Sequence, residues 1–166
     1  MSPAPACCDA VAQSGADQYH AYLEAIGKIF FHVYASSAVR PFDSSELQQL
    51  LEKSRENNAA LGVSGMLLYK DGNFLQVLEG REAAVHALAE KIHRDPRHNR
   101  VTTLLEGFES EYQFPAWSMG FRDLELEEAK TTAGYSDFLD TAFNPRAFAT
   151  DPTVAQSLLL IFKEAT

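Results

Sequence analysis

The strongest constraint on the fold is a strand that is apolar on both of its faces. Residues 29–36 read IFFHVYAS, a β-branched and aromatic run that predicts a strand. Because alternate residues of a strand point to opposite faces, Phe30 and Tyr34 share one face, while Phe31 and Val33 share the other. Such a strand needs cover on both sides. The chain is therefore expected to fold as a layered sandwich.

The signals after this strand continue in a β-α-β-β-α-β-β order. Asp71-Gly72 predicts a tight antiparallel turn, Gly62 suits a helix C-cap, and Pro96 follows the end of a second helix. The predicted strands are 29–36, 63–69, 74–78, 101–108 and 116–121, and the helices between them are 43–60 and 82–92. This order predicts an α+β, ferredoxin-like sandwich whose mixed sheet carries both helices on one face.

Two flanking segments complete the predicted domain organisation. Residues 1–28 are an extension with a weakly amphipathic stretch at 18–26, and residues 29–122 form the domain. Residues 123–166 carry helix signals at 135–143 and at 154–162, the second opened by Asp151-Pro152. We expect this C-terminal helical cap to cover the sheet face opposite the two domain helices.

Charge and composition exclude several classes of function. The chain has 14 basic and 23 acidic residues, a net charge of -9, which disfavours direct binding of nucleic acid. No apolar run approaches the roughly 20 residues that cross a bilayer, and no signal peptide is visible, so we predict a soluble, cytoplasmic protein without a membrane partner. Cys7 and Cys8 are adjacent, and His20, His86 and His93 lack ligand spacing, so no metal site is expected.

One polar side chain in an otherwise apolar strand needs a partner. Gln76 alternates with Leu75 and Val77, and a buried amide costs roughly 1 to 3 kcal/mol unless it is hydrogen-bonded. Tyr34, Asn57 or Asn58, or a ligand could supply the bond. Ordinary structural roles remain open for the same residue types: core tyrosine, strand-edge glutamine and helix-capping asparagine.

Taken together, six segments in order resemble the BLUF family of blue-light receptors, which bind flavin. The segments are 34–36, 54–58, 62–69 with Asp71-Gly72, 74–80, 95–98 and 114–121. The resemblance spans about residues 29–122. It implies a blue-light photoreceptor that binds FAD non-covalently between the two helices and has no enzymatic activity.

The resemblance also implies site residues. The cofactor-binding set is Tyr34, Asn57, Asn58, Gln76, Arg97 and His98, and the photochemical relay is Tyr34, Gln76, Trp117, Met119 and Ser36. In the family pattern the tyrosine donates an electron and a proton to the excited flavin, the glutamine lies between them, and Asn58 holds a ring carbonyl. Output is expected to pass to a downstream signalling protein, and a homo-oligomer is expected.

Two other functions compete with this prediction. One is an α+β enzyme that uses His98 or His32 with a carboxylate in acid-base chemistry, because this architecture hosts many activities. The other is a light-insensitive interaction module. Colour separates the first prediction from both alternatives, since a purified flavoprotein is yellow.

Overall fold

The elements of a computed structural model follow the predicted order. The model describes residues 7–114, 119–123 and 157. Its helices are α1 (Cys7–Ala25), α2 (Ser44–Leu61) and α3 (Glu82–His93), and its strands are β1 (Ile29–Ala38), β2 (Ser64–Lys70), β3 (Asn73–Gly80), β4 (His98–Glu109) and β5 (Gly120–Asp123). From β1 to β5 the order is β-α-β-β-α-β-β, so the α+β sandwich prediction is confirmed.

The described strands form one mixed sheet with β3 at its centre. The strand order is β4-β1-β3-β2-β5. β3 pairs antiparallel with β1 and β2, whereas β2 and β5 are parallel. In this register Gln76 lies opposite Tyr34 on one side and Leu67 on the other. The polar residue that the sequence singles out is therefore in the central strand.

A two-residue turn sets the register between β2 and β3. Lys70 pairs with Asn73, and the turn residues Asp71 and Gly72 have φ values of 49° and 71°. Positive φ at both positions matches the right-handed twist of the two strands, and Asp-Gly is the residue pair that adopts it readily. The predicted hairpin is confirmed.

The two faces of the sheet carry separate cores, as the strand parity predicts. Phe30, Tyr34 and Leu78 belong to a buried cluster that includes Leu51 of α2 and Val85 of α3. On the opposite face, the buried cluster contains Phe31, Val33, Met66, Leu68, Leu75, Val77 and Phe114. The helices α2 and α3 thus cover one face of the sheet, the face that carries Gln76.

The helix α2 begins and ends at signals that are visible in the sequence. The Asp43 carboxylate accepts from the Glu46 backbone N–H at 2.9 Å, and the Glu46 carboxylate accepts from the Asp43 backbone N–H at 3.1 Å. This reciprocal pair satisfies two N–H groups that no helical carbonyl reaches. Gly62 ends the helix in the left-handed region with φ 65°.

The N-terminal extension is more helical than its pattern indicates. The sequence predicts a weak helical stretch at 18–26, whereas α1 begins at Cys7, in an alanine-rich segment of high helix propensity. The Glu24 carboxylate accepts from the Glu82 backbone N–H at 2.6 Å, and His20 Nδ1 lies 2.6 Å from Glu82 Oε1. Because Arg81 gives α3 no side-chain cap, Glu24 caps that helix from outside.

Some predicted elements differ in extent or lie outside the described residues. β4 begins at His98 instead of 101, and β5 begins at Gly120, one residue after Met119. Trp117 lies outside the described residues, as do the helices predicted at 135–143 and 154–162 apart from Ser157, which is helical. Among the helices described here, none combines the length and apolarity needed to span a membrane.

Gly65 tests the tight β2–β3 pairing. A Cβ added at Gly65 would lie 2.0 Å from the carbonyl oxygen of Val77, whereas one added at Gly72 meets nothing within 4 Å. We expect Gly65→Ala to lower the free energy of unfolding by about 3 kcal/mol, because backbone must move to relieve the clash. Gly72→Ala should cost about 1 kcal/mol from its positive φ alone. Urea unfolding measures both, and equal losses would contradict the clash.

Candidate functional site

A cleft of about 390 Å³ lies between α2, α3 and the sheet. Its apolar lining comes from both helices and from two strands: Leu50, Leu67, Phe74, Leu88 and Ile92. Its polar lining includes two amides of α2 and side chains of the segment between α3 and β4. Apolar walls with a few convergent polar groups are typical of a site for a flat organic ligand.

The six residues predicted to bind a cofactor all line this cleft. They are Tyr34, Asn57, Asn58, Gln76, Arg97 and His98. Asn58 is 2% exposed, so its amide is directed into the interior and not toward solvent. The structure therefore brings together residues that are up to 64 positions apart (98 − 34) in the sequence.

A hydrogen-bonded chain crosses the buried side of the site. The Tyr34 hydroxyl donates to Oε1 of Gln76, and Nε2 of Gln76 donates to the Met119 sulfur at 3.3 Å. All three side chains are buried. The amide that the sequence marks as needing a partner has one at each end, and Tyr34 is one of the candidates predicted for it.

The two partners of Gln76 select one orientation of its amide. A phenol hydroxyl can donate or accept, but a thioether sulfur can only accept. The amide must therefore present its N–H group to Met119 and its oxygen to Tyr34. Reversing the amide would set Oε1 against a sulfur that has no proton to give.

Burial keeps Tyr34 protonated. Loss of solvation raises the pKa of the Tyr34 hydroxyl well above its ordinary value, and the negative charge of Asp95 acts in the same direction. The hydroxyl therefore holds its proton throughout the physiological range and remains a donor to Gln76.

The segment between α3 and β4 forms the rim of the cleft. The Asp95 carboxylate accepts from the backbone N–H and the guanidinium of Arg97, which lowers the pKa of Asp95. His98 Nδ1 lies 3.0 Å from the Ser36 hydroxyl, and burial lowers the pKa of His98, which favours the neutral ring. Ser36 thus contacts the rim histidine, and its predicted place in the relay stays a prediction.

Three polar residues of the cleft lie outside the segments of the resemblance and were missed by the sequence reasoning. Gln49, Lys53 and Lys91 line the cleft, and neither lysine belongs to a segment of the resemblance. The available signal was helix spacing, because Lys53 lies three residues after Leu50 and Lys91 three residues after Leu88. The two lysines and Arg97 give this side of an acidic protein a cationic character.

His32 has no role in the resemblance and was a candidate residue only of the enzyme alternative; it lies beside the relay and does not line the cleft. Its side chain is buried, and Nδ1 lies 3.1 Å from Glu106 Oε2. Its ring centroid is 6.1 Å from that of Tyr34. Burial lowers the pKa of His32, although Glu106 opposes the shift. The ring supports the position of Tyr34 without facing the cleft.

A guanidinium joins α2 to the chain just before β5. Nε of Arg55 donates to the backbone carbonyl of Met119 at 3.1 Å. The sulfur of the same residue accepts from Gln76. Met119 is therefore held at its backbone by α2 and at its side chain by β3.

The family model that matches this sequence is BLUF, described as sensors of blue-light using FAD, over residues 29–120. This match covers more than half of the chain, so the chain belongs to the BLUF family. The family senses blue light through FAD, so its domain is a sensory module. The resemblance inferred from the six segments is confirmed, and the enzyme alternative is set aside.

Curated relatives carry similar domains within longer chains. The photoactivated adenylate cyclase subunit beta of Euglena longa is 38% identical over 87 residues, which are 52% of this chain and 10% of that protein. The blue light- and temperature-regulated antirepressor BluF of Escherichia coli (strain K12) is 30% identical over 83 residues, 50% of this chain and 21% of that protein. The chain thus matches about a tenth to a fifth of the length of these relatives.

Solved structures have the same fold. The BLUF structure of BlrP1, a Klebsiella pneumoniae protein, has a TM-score of 0.63 and 28% identity, and covers 82% of this chain and 90% of its own. The ground state of BlsA has a TM-score of 0.55 and 27% identity, with coverage of 70% and 86%. The likeness extends over most of each of these two chains.

Asn58 tests the cleft as the flavin site. Asn58→Ala should weaken FAD binding about 10- to 100-fold, because a buried polar contact to the ring is lost. Fluorescence quenching of added FAD measures the dissociation constant. Gln48→Ala, on an exposed position of the same helix, is the matched control and should bind like the parent. Equal affinities for both variants would contradict an Asn58 contact.

Proposed function

We propose that blue light rearranges a hydrogen-bond network of Tyr34, Gln76 and bound FAD, and that Met119 relays the change to a downstream signalling protein. The observation that carries this proposal is the position of the Gln76 amide between a phenol hydroxyl and a thioether sulfur. One side of the amide belongs to the cleft, and the other leads to β5. A change in its hydrogen bonding therefore affects both.

The residues of the cleft fit the cofactor that the family uses. The ring of FAD is flat and apolar with one polar edge, which suits walls of leucine and phenylalanine and the buried amides of Asn58 and Gln76. Asn57 and His98 would contact the ring and its side chain, while Arg97, Lys53 and Lys91 would attract the phosphates. Bound FAD supplies light absorption and a site that accepts an electron and a proton.

The protein's part is to hold and move one proton. Tyr34 is the proposed electron and proton donor, and Oε1 of Gln76 is the atom against which its hydroxyl proton rests. If Gln76 then presents Nε2 to the phenol oxygen, Tyr34 becomes the acceptor. Oε1 then faces Met119, which cannot donate, so that contact is lost. The two arrangements differ most at Met119.

The relay continues along the backbone. Gly120 follows Met119 and pairs with Met66 in the parallel β2–β5 ladder. A shift of Met119 would therefore act on the edge strand β5 and on the chain beyond it. The predicted roles of Trp117 and Ser36, and the division into an extension, a domain at 29–122 and a C-terminal cap, are retained as parts of this proposal.

The output partner is proposed by class. One relative is named as a subunit of a photoactivated adenylate cyclase, and another as a blue light- and temperature-regulated antirepressor. We infer a downstream signalling protein as the partner of this chain. The cytoplasmic location and the homo-oligomer remain predictions of the sequence.

Non-covalent FAD binding is tested by release of the colour. Cys7 and Cys8 are the cysteines of the chain, and both precede the domain, so no thiol within 29–122 can form a flavin linkage. Acid or heat precipitation should leave the pellet colourless and the supernatant yellow. Chromatography of the supernatant should identify FAD, while a yellow pellet would contradict the prediction.

The Tyr34 hydroxyl is tested by removal of one oxygen. Tyr34→Phe should keep FAD bound, because the ring still packs in the core, and should lose the reversible red shift of the flavin spectrum under blue light. Gln76→Leu should lose the shift as well, since it removes both ends of the amide. Absorption spectra before and after illumination measure the effect.

Tyr69→Phe is the matched control for that pair of variants. Tyr69 is equally buried, belongs to the same core cluster, and accepts from the Phe42 backbone N–H at 3.0 Å. This variant should keep the full red shift. If Tyr34→Phe and Tyr69→Phe behave alike, the hydroxyl of Tyr34 has no special role.

A further inference from the structure

A buried carboxylate lies on the face of β3 opposite the relay. Glu79 is 1% exposed and follows Gln76 by three residues, so the two side chains point to opposite sides of the sheet. The Glu79 carboxylate accepts from the backbone N–H of Gln113 at 3.1 Å and from that of Phe114 at 3.0 Å. A buried carboxylate is costly without such bonds. Both of these backbone bonds come from one short segment of the chain.

That segment leads directly to Met119. The chain leaves β4 at Glu109, passes the two amides held by Glu79, and reaches Met119 five residues after Phe114. The Phe114 side chain is fully buried in the core on the same face as Glu79. Glu79 and the buried Phe114 ring therefore fix the chain at residues 113 and 114, and Arg55 separately holds the Met119 carbonyl.

We propose that Glu79 is a positioning residue of the photoreceptor: it anchors the Gln113 and Phe114 amides, on the chain that leads to Met119, and so favours the contact of the Met119 sulfur with Gln76. Protonation of Glu79 then prolongs the light state. The proposal rests on the proposed function, because the effect passes through Gln76. Glu79 lines no part of the cleft and lies on the opposite face of the sheet from Gln76, so it acts through the two backbone amides that it holds.

The surroundings of Glu79 make this anchor sensitive to pH near neutrality. Burial raises the pKa of Glu79 to about 7, although the backbone N–H groups of Phe114 and Gln113 act in the opposite direction. The Ser64 hydroxyl of β2 also lowers the pKa of Glu79, whereas the Glu109 carboxylate of β4 raises it. Below pH 7 one carboxylate oxygen becomes a hydroxyl and accepts the N–H groups poorly.

The effect of pH on the lifetime of the light state depends on which arrangement the ionised Glu79 stabilises. With Glu79 ionised, the Gln113 and Phe114 amides are held in the arrangement in which the Met119 sulfur accepts from Gln76, which the proposal assigns to the dark state. Protonation weakens that preference, so less free energy drives the return from the light state. The light state should therefore live longer at pH 6 than at pH 8.

The test is the rate of dark recovery of the red-shifted spectrum from pH 5.5 to 8.5, measured on the full chain with FAD bound. In the parent we expect recovery to slow about fivefold as pH falls, a change typical of one lost hydrogen bond, with a midpoint near 7. Glu79→Gln cannot titrate, so its rate should be independent of pH. A flat profile in the parent, or an unchanged profile in Glu79→Gln, would overturn the proposal.

Two further variants separate Glu79 from its neighbours. Glu111→Gln removes an exposed carboxylate of the same segment and should keep the parent profile. Glu109→Gln removes a charge that raises the pKa of Glu79, so it should move the midpoint of the recovery profile to lower pH. This variant keeps the proposal testable if Glu79→Gln fails to fold. An unmoved midpoint in Glu109→Gln would count against Glu79 as the titrating group. A parent without any red shift would overturn the proposed function itself.

Discussion

The buried amide of Gln76 is the constraint on which the rest of the site depends. It lies in the central strand β3, which is hydrogen-bonded to β1 on one side and to β2 on the other. The backbone at Gln76 therefore cannot shift to move the amide out of the core. An amide in that position needs an acceptor for its N–H group and a donor for its oxygen. Tyr34 of β1 and Met119, one residue before β5, meet both needs. The two hydrogen bonds that satisfy the buried amide therefore also connect the cleft to the edge of the sheet.

The net charge of the chain and the charges that line its cleft have opposite signs. The chain carries a net charge of -9, yet Lys53, Lys91 and Arg97 line the cleft. Arg97 is held by Asp95, and Lys53 lies 3.2 Å from Glu56, so these cations keep their side chains near the rim. An acidic protein can thus attract the phosphates of a dinucleotide locally while its overall field repels polyanions.

Much of the fold was predictable because it follows from local patterns. Strand parity, the Asp-Gly turn and the Gly62 C-cap of α2 are properties of neighbouring residues, and all three are found as expected. The Glu24 cap of α3 and the Arg55 bond to Met119 join residues 58 and 64 positions apart, and no spacing rule connects them. The six cleft residues came from the resemblance. The contact of Met119 with Gln76 needed the structure, because it depends on where a loop returns.

The two-residue turn at Asp71 and Gly72 has a consequence for how this sequence can change over evolutionary time. Side chains alternate along β3, so a single residue lost between Lys70 and Gln76, with the pairing to β2 otherwise kept, would bring Val77 to the position of Gln76. Gln76 would then point to the opposite face of the sheet, and the cleft would receive a valine. A change in the length of this hairpin should therefore harm the site more than most substitutions within it.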